Sequence, residues 1–303
     1  MANETHSGSG SVGYSIPAPA DAMVTAEIRE AMVSPVFARM VAFNEPGIAK
    51  IFPRITTAAS VNTLAAGDTE EDVATPTTIV LTNPTATMAV KTAAVRQSKL
   101  SIEGAAANWE AEMPAMLGRA LAEKMDIDVC DLLGGFSNTV GSTGVDCSLE
   151  NLRAAHVLLR RTAKGSAEQA VYVLHPQQIG DVEAVLASGA GAGVSQLVSR
   201  PDFLSLYGQG AGTGALSAYR GHLFGIPVFQ TTNVPDENTI DDHGGALLVP
   251  GQAIALLYKW LGRIERGDQA VNLASAITWF ASSCYGAVEL DDNKGVSIIT
   301  DHV

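Results

Sequence analysis

Residues Ala107–Gly135, ANWEAEMPAMLGRALAEKMDIDVCDLLGG, form the segment around which the other predicted elements are arranged. The pattern is typical of one long helix, because apolar residues recur at the spacing of a helix face. Those residues are Trp109, Met113, Met116, Leu117, Ala120, Leu121, Ile127, Cys130 and Leu133. The polar residues predicted to form the opposite, solvated strip are Asn108, Glu112, Arg119, Glu123 and Asp126. Gly134-Gly135 ends the helix, and about 22 residues at 1.5 Å each predict a strut of roughly 33 Å.

The chain before this helix begins with an arm. Met1–Ala20 is polar and rich in Gly, Ser and Pro, which is typical of a segment that is flexible or ordered only by a partner. Asp21–Phe43 then carries an apolar stripe at helical spacing, with Pro35 expected to kink or split the helix. Two packings would cover the stripe: on its own domain, or on a neighbouring subunit. We expect the arm to clamp an adjacent subunit through residues that include Ile28, Met32 and Val36.

Residues 51–100 predict a long, thin hairpin. Its two extended stretches contain few large side chains, and the returning one alternates Ala86, Met88 and Val90 with Thr87, Ala89 and Lys91. A two-stranded ribbon is marginal in water by itself, so this one is expected to reach roughly 33 Å from the body and rest on another surface. The segment Gly67–Thr75, GDTEEDVAT, predicts an acidic turn at its tip. The predicted inter-subunit contacts are therefore Glu70, Glu71, Asp72, Met88, Val90 and Lys91 on the hairpin, and Arg119 and Lys124 on the long helix.

The chain after the long helix alternates helices and short strands. Val140–Cys147 predicts a Gly/Ser/Thr linker, and Ser148 predicts the N-cap of a second helix. AVYVLHP, HLFGIPVFQTTNVP, ALLVP and AIALL predict buried strands, and Phe229 or Val228 is expected to pack against the helix Leu149–Leu159. DDNKG at Asp291–Gly295 predicts a turn between the last two strands. This order indicates an α/β or α+β domain.

Three stretches together resemble the major capsid protein of tailed bacteriophages, of the Hong Kong 97 type. They are Ile79–Glu103 leading into the long helix, Tyr172–Pro176 (YVLHP) and Leu223–Pro235 (LFGIPVFQTTNVP). The resemblance spans residues 51–303 and implies an α+β capsid fold in five parts. These are an N-terminal arm with a helix (1–50), an extended hairpin loop (51–100), the spine helix of a peripheral domain (101–140), a central-sheet axial domain (141–262) and the return strands of the peripheral domain (263–303).

Composition excludes several classes of protein and of site. The chain has 303 residues, is 47% apolar, and carries a net charge of −13, which opposes binding of nucleic acid through a basic face. Apolar runs are shorter than the ~18 residues of a membrane helix. The three cysteines are widely spaced, and the six histidines lack metal-ligand spacing. The glycine run Gly208–Gly214 lacks the preceding strand and following helix of a dinucleotide site. We therefore expect no catalytic, cofactor or metal residues.

The leading functional hypothesis is structural and follows from the resemblance. It implies a coat subunit that forms the hexamers and pentamers of an icosahedral phage head around double-stranded DNA, assembled in the host cytoplasm. Its partners would be further copies of itself, packaged DNA held without specific binding, and portal, scaffold or decoration proteins. The alternative is the shell protein of an encapsulin-type compartment that packages a cargo enzyme. A third class, a soluble α/β enzyme that uses the glycine run, would require the chain to bind NAD or ATP.

Overall fold

The computed structural model of the chain describes residues 12–14, 24–28, 32–56, 78–98, 109–187, 218–237, 242–269 and 276–301. Three features discussed above fall wholly or largely outside these residues. They are the acidic triplet Glu70, Glu71 and Asp72, the arm Met1–Ala20 except for residues 12–14, and the glycine run Gly208–Gly214.

Three α-helices contain the strongest helical patterns of the sequence: α1 (Trp109–Cys130), α2 (Leu149–Ala163) and α3 (Pro176–Ala187). Helix α1 confirms the predicted long helix. Helix α2 begins where predicted, since the Ser148 hydroxyl accepts a hydrogen bond from the Asn151 backbone N–H at 3.1 Å. The last turn of α2 contains Arg160 and Arg161, which suits the negative end of the helix dipole.

The buried face of α1 is rotated slightly from the predicted one. It follows a spacing of four through Met113, Leu117, Leu121, Met125 and Val129. Met116 and Ala120 therefore lie at the edge of that face and are exposed, which corrects their assignment to the core. Asp126 was wrongly placed on the solvated strip: it is 3% exposed, because its carboxylate turns toward the chain segment that precedes the hairpin.

Fifteen strands are present in the described part of the chain. In chain order they are β1 (Val12–Tyr14), β2 (Arg39–Ala42), β3 (Ala49–Ile51), β4 (Arg54–Ile55), β5 (Leu81–Thr82), β6 (Thr85–Thr87), β7 (Ala89–Ser98), β8 (Thr139–Asp146), β9 (Val171–Leu174), β10 (Tyr219–Leu223), β11 (Ile226–Gln230), β12 (His243–Leu248), β13 (Ile254–Gln269), β14 (Ala276–Glu289) and β15 (Gly295–Asp301).

A five-stranded sheet packs against α1. Its order is β1-β13-β14-β7, and β2 pairs in parallel with another part of β13. The prediction of a helix as far as Phe43 is wrong over residues 39–42. After residues 24–28, which are helical, a short 3-10 turn at Ser34–Val36 with Pro35 in its first turn ends the helical path, and Arg39–Ala42 pair with Ala255–Tyr258. Residues 12–14 of the arm also belong to this sheet, through β13.

A six-stranded sheet has the order β10-β11-β9-β12-β15-β8 and lies against α2 and α3. Strand β9, from the YVLHP motif, is buried at all four residues, and the Tyr172 hydroxyl donates to the Leu152 carbonyl of α2 at 2.9 Å. The predicted turn in FGIPV joins β10 to β11 through Phe224 and Gly225, both with positive φ.

Two boundaries differ from the predictions. The stretch predicted as a linker is strand β8, which pairs with β15 at the edge of the six-stranded sheet. Strand β15 itself joins this sheet, although residues 263–303 were assigned to the peripheral part. The reason is that the tight turn at Asp292–Lys294, in the predicted position, redirects the chain from β14 into the second sheet. The five-part division of the chain otherwise stays a prediction.

Adjacent residues of β11 face opposite cores. Val228 packs in the cluster that contains Leu152 and Leu159 of α2, as predicted. Phe229 lies in the other cluster, with Val129 and Leu133, so the prediction that it could pack on α2 is wrong for this side chain. The alternation of side chains along a strand explains why only one of the two reaches α2.

Candidate assembly surface

Metal-ligand clusters and free thiols are two kinds of reactive group that the described residues allow us to assess. Among them, no group of three or more His, Cys, Asp or Glu side chains could hold a metal ion. Cys130, Cys147 and Cys284 are buried free thiols. Burial raises the pKa of Cys147 to about 12 and also raises that of Cys130, so both stay protonated and unreactive at neutral pH. In the same part of the chain, no helix combines the length and apolar character needed to cross a membrane.

Exposed apolar side chains concentrate on the predicted hairpin. Two short antiparallel ribbons lie in this part of the chain, β3 paired with β6 and β4 paired with β5. We call these two ribbons, together with the chain that joins them, the strap. Seven of the ten exposed large hydrophobic residues in the described part of the chain lie on the strap or at its junction with β7: Ile48, Ile51, Ile55, Ile79, Val80, Leu81 and Val90. Such a concentration on a thin ribbon is typical of a surface that another molecule covers.

The base of the strap is fixed to the body by its own small core. Phe43, Ala86, Met88, Leu257 and Cys284 are buried together. Met88 is only 4% exposed, which corrects its prediction as an inter-subunit contact: the strap base covers it within the same chain. The exposed apolar residues begin beyond this anchored part.

Ionic and cation–π contacts strengthen the same junction. Arg54 of β4 pairs with Asp291 at 2.6 Å, next to the turn between the two large sheets. The Lys50 ammonium lies 6.0 Å from the centre of the Phe43 ring, and that of Lys259 lies 5.9 Å from it. The direction in which the strap leaves the body is therefore set by contacts within the subunit.

Two predicted basic contacts on α1 already have acidic partners in their own chain. Lys124 pairs with Asp128 at 2.7 Å, one helical turn along α1, and Arg119 pairs with Glu27. Lys91 of β7 also reaches Asp128, at 3.5 Å. These cations were predicted to meet a neighbouring subunit, but in this structure each serves an internal contact.

Asp128 connects α1 to both strands that pack on it. The Tyr285 hydroxyl of β14 donates to its carboxylate at 2.7 Å, beside Lys91 of β7. Burial alone would raise the pKa of Asp128, but the hydrogen bonds from Lys124 and Tyr285 and the nearby positive charges outweigh it and lower that pKa. Asp128 is therefore ionised at neutral pH, and its contacts hold α1 against the five-stranded sheet.

The apolar stripe of the arm is covered by its own subunit. Ile28, Met32 and Val36 are all buried in the main core, together with Val24. A Cβ atom at Gly262 of β13 would approach a Val24 methyl group to 2.7 Å, so the glycine makes room for the arm. The expectation that this stripe clamps a neighbour is wrong, because no exposed stripe remains in residues 24–28 and 32–36.

Asp126 holds the segment that follows the stripe. Its carboxylate accepts the backbone N–H groups of Val33 at 2.8 Å and Ser34 at 3.0 Å. Burial raises the pKa of Asp126 despite these hydrogen bonds, which favour the ionised form. The pattern of α1 placed Asp126 in solvent because its backbone partners lie more than 90 residues earlier.

Residues that sequence reasoning missed lie on the face of the five-stranded sheet opposite α1. Trp260, Arg263 and Glu265 of β13 face this side, with Phe280 of β14 and Arg96 of β7. Register shifts between Tyr258 and Arg263 break the simple alternation of β13, which removes the period-two signal that could have identified these residues.

Comparisons with solved structures identify the fold. A chain from a structure of Mycobacterium phage Che8 matches at 16% identity, with a TM-score of 0.58 over 83% of this chain and 84% of that one. A chain of the capsid of a native GTA particle matches at 15% identity and a TM-score of 0.59 over 91% and 90%. The SrpI encapsulin of Synechococcus elongatus matches at 14% identity and a TM-score of 0.57 over 88% and 85%.

Comparisons of the sequence itself gave no match. The chain matches no protein-family model and no curated protein sequence. The likeness therefore lies in the fold, and it extends over most of each chain compared. The chain has the Hong Kong 97-type fold that these phage, particle and encapsulin structures share.

Proposed function

We propose that this chain is the major coat protein of a tailed phage, a structural subunit that forms the hexamers and pentamers of an icosahedral head. The observation that carries the proposal is the combination of the fold with the strap, whose large apolar residues are exposed in the described part of the chain. Repetition of one modest contact around closed rings is how symmetric assemblies gain stability. The subunit is not an enzyme in this proposal, and it acts by self-assembly.

The shell would enclose double-stranded DNA without gripping it. An acidic subunit repels phosphates, so DNA could be packed and released without adhering to the wall. Portal, scaffold and decoration proteins would be the further partners, and the assembled protein would reside in the virion after assembly in the host cytoplasm. The match to the capsids of a GTA particle and of a bacteriophage supports the coat role itself.

The test is to image the purified full-length protein by electron microscopy and to treat its particles with nuclease. Closed icosahedral shells made by the protein would support the assembly role, and nuclease-protected duplex DNA in particles from infected or lysogenic cells would support the phage head. A protein that stays monomeric over a wide range of concentration and salt would refute the proposal.

The encapsulin alternative rests on the match to the SrpI encapsulin. The same particles distinguish the two functions, because an encapsulin-type shell would contain a cargo protein and no protected DNA. Mass spectrometry of the particle contents gives the answer directly. A stoichiometric second protein inside nucleic-acid-free shells would replace the phage proposal with this one.

A further inference from the structure

The histidine of the YVLHP motif stands at the start of a helix. His175 follows β9 and precedes α3, and its carbonyl accepts the backbone N–H of Ile179 at 3.2 Å, which is the first hydrogen bond of that helix. Pro176 occupies the next position, where the missing N–H has no partner to lose. His175 is therefore the N-cap residue of α3.

The imidazole of His175 is the capping group. Its Nδ1 accepts the backbone N–H of Gln177 at 3.4 Å. In return, the side chain of Gln178, three residues after the cap, accepts the backbone N–H of His175 at 3.0 Å. This reciprocal pair is a capping box in which histidine replaces the usual Ser or Thr. Because Nδ1 accepts a hydrogen bond, it carries no hydrogen, and the ring is neutral with its hydrogen on Nε2.

Gln178 connects the start of α3 to the six-stranded sheet. Its side chain is fully buried, and its Nε2 contacts the carbonyls of His243 at 3.0 Å and Ile298 at 3.2 Å and the hydroxyl of Thr300 at 2.8 Å. Those residues belong to β12 and β15. One amide therefore joins the capped helix start, which follows β9, to two further strands of the sheet.

A second histidine lies against the first. The ring centroids of His175 and His243 are 3.6 Å apart. Nδ1 of His243 lies 3.1 Å from Oδ1 of Asp236, and its Nε2 contacts Oε1 of Gln177. Both oxygens accept hydrogen bonds, so they favour a proton on His243. Two imidazoles in contact repel each other when both are charged.

The charged side chains on the neighbouring elements are acidic in the described part of the chain. They are Asp181, Glu183, Asp236, Asp242 and Asp301. Asp181 and Asp242 already accept backbone N–H groups, from Cys147 at 3.4 Å and Gly144 at 3.0 Å. Asp236 contacts His243 directly, so the first proton taken up by the pair goes to His243. A second proton, on His175, is then placed beside a cation.

We propose that His175 is a pH-sensitive cap, which holds the start of α3 to the sheet at neutral pH and releases it in weak acid. Histidine is the side chain whose charge ordinarily changes between about pH 5 and 8, and His175 is partly exposed to solvent. Protonation of its Nδ1 removes the acceptor of the Gln177 N–H and places a positive charge at the positive end of the helix dipole, next to His243.

These three effects disfavour the proton in the capped state only. The open state therefore takes up protons more readily, and falling pH shifts the equilibrium toward it. The switch lies within the single subunit, so it does not depend on the proposed assembly function.

Amide hydrogen exchange of the full-length protein, corrected for the effect of pH on the intrinsic exchange rate, measures the opening of this turn. From about pH 7.5 to about pH 5.5, the opening constant of residues 177–180 should rise about tenfold. The control lies in the same molecule: the first turn of α2 is capped by the Ser148 hydroxyl, which does not titrate in this range. Its opening constant should change less than about twofold. An equal response of the two turns to acid would overturn the inference.

A substitution identifies the group that responds. Asn caps helices well and does not titrate, so His175→Asn should keep the exchange of α3 near that of the wild type at neutral pH and remove the response to acid. The matched control, His156→Asn on α2, should retain the response of α3. If His175→Asn opens in acid as the wild type does, the inference fails. If this variant does not fold, the comparison of the two helix starts in the wild type still decides the question.

Discussion

At the scale of single residues, the most consequential contacts are those of two carboxylates on α1. Asp126 ties the segment before the strap to the helix through two backbone N–H groups, and Asp128 ties the helix to β7 and β14. The two lie two residues apart and so point to different sides of the helix, and the pKa of one is raised by burial while that of the other is lowered by hydrogen bonds and positive charges. Their different environments give opposite expectations on the dependence of stability on pH.

Asp126→Ala should destabilise the subunit by about 2–3 kcal/mol, because the N–H groups of Val33 and Ser34 lose their acceptor on removal of the carboxylate. Urea unfolding followed by circular dichroism measures the free energy of unfolding. The control is Glu123→Ala on the exposed side of the same helix, which should stay within about 0.5 kcal/mol of the wild type. Equal effects of the two substitutions would show that the Asp126 contact adds nothing to stability.

Asp128→Asn should lower the free energy of unfolding at neutral pH. As the pH falls, the variant should lose less of its stability than the wild type does. The pKa of Asp128 in the folded chain lies below its usual value of 3.8, so the folded state favours the ionised form. Its contribution is therefore fully present above the unfolded pKa and is lost as pH falls through the folded pKa. Free energies of unfolding from pH 7 to pH 3 measure this contribution. If the difference in free energy of unfolding between wild type and variant did not shrink in acid, the stabilising contact would not depend on the charge of Asp128.

At the scale of elements, strand β11 contributes side chains to both cores, so truncation on either face should lower stability. Phe229→Ala should cost about 3–5 kcal/mol, through lost burial and the cavity left beside Val129 and Leu133. Val228→Ala should cost less, because it removes a smaller side chain from the cluster of α2. Thermal and urea unfolding of both variants measure which substitution lowers stability more. An unchanged midpoint for Phe229→Ala would contradict the position of this ring in the core.

The exposed apolar side chains of the strap should contribute to the assembly of subunits but not to the stability of the single subunit. Replacement of Ile55, Ile79 and Leu81 by Ser removes exposed apolar surface from the strap while leaving its buried base intact. Because exposed side chains contribute little to subunit stability, the thermal midpoint should stay near that of the wild type. Shell formation, measured by light scattering, should weaken strongly.

The matched control for the strap is Val157→Ser, which removes an exposed valine from α2, away from the strap. This variant should assemble as the wild type does. Normal shells from the triple strap variant would show that its exposed apolar residues are not the adhesive contact between subunits.

At the scale of the whole molecule, the balance of charge limits what the free subunit can bind. Thirty-two acidic residues against 19 basic ones leave a net charge of −13, which repels the phosphates of nucleic acid. Proteins that bind duplex DNA tightly neutralise about 6–10 phosphates, which requires a concentrated basic surface. Free subunits should therefore bind duplex DNA weakly at physiological salt. Fluorescence anisotropy with labelled DNA measures this, and tight binding that falls steeply with salt would contradict it.

Local patterns in the sequence correctly predicted the elements whose signals lie within a few residues. The long helix follows from apolar spacing, the start of α2 from the Ser148 cap, and the buried strands β9 and β11 from short apolar runs bounded by Pro and Gly. The strap was predicted from its lack of large side chains. Each of these signals is local, because helix periodicity, caps and turns depend on neighbours along the chain.

Only the tertiary structure decided the features that depend on distant partners. Residues 39–42 and 139–146 become strands because β13 and β15 offer edges for pairing, more than 150 residues later in the chain. Asp126 is buried because the backbone of Val33 and Ser34 meets it, and Arg119 finds Glu27 in the same way. The sequence by itself determined the elements with local signals, which are the long helix, the start of α2 and the buried strands β9 and β11. Which face each element covers was decided by contacts between residues distant in sequence, which local periodicity does not record.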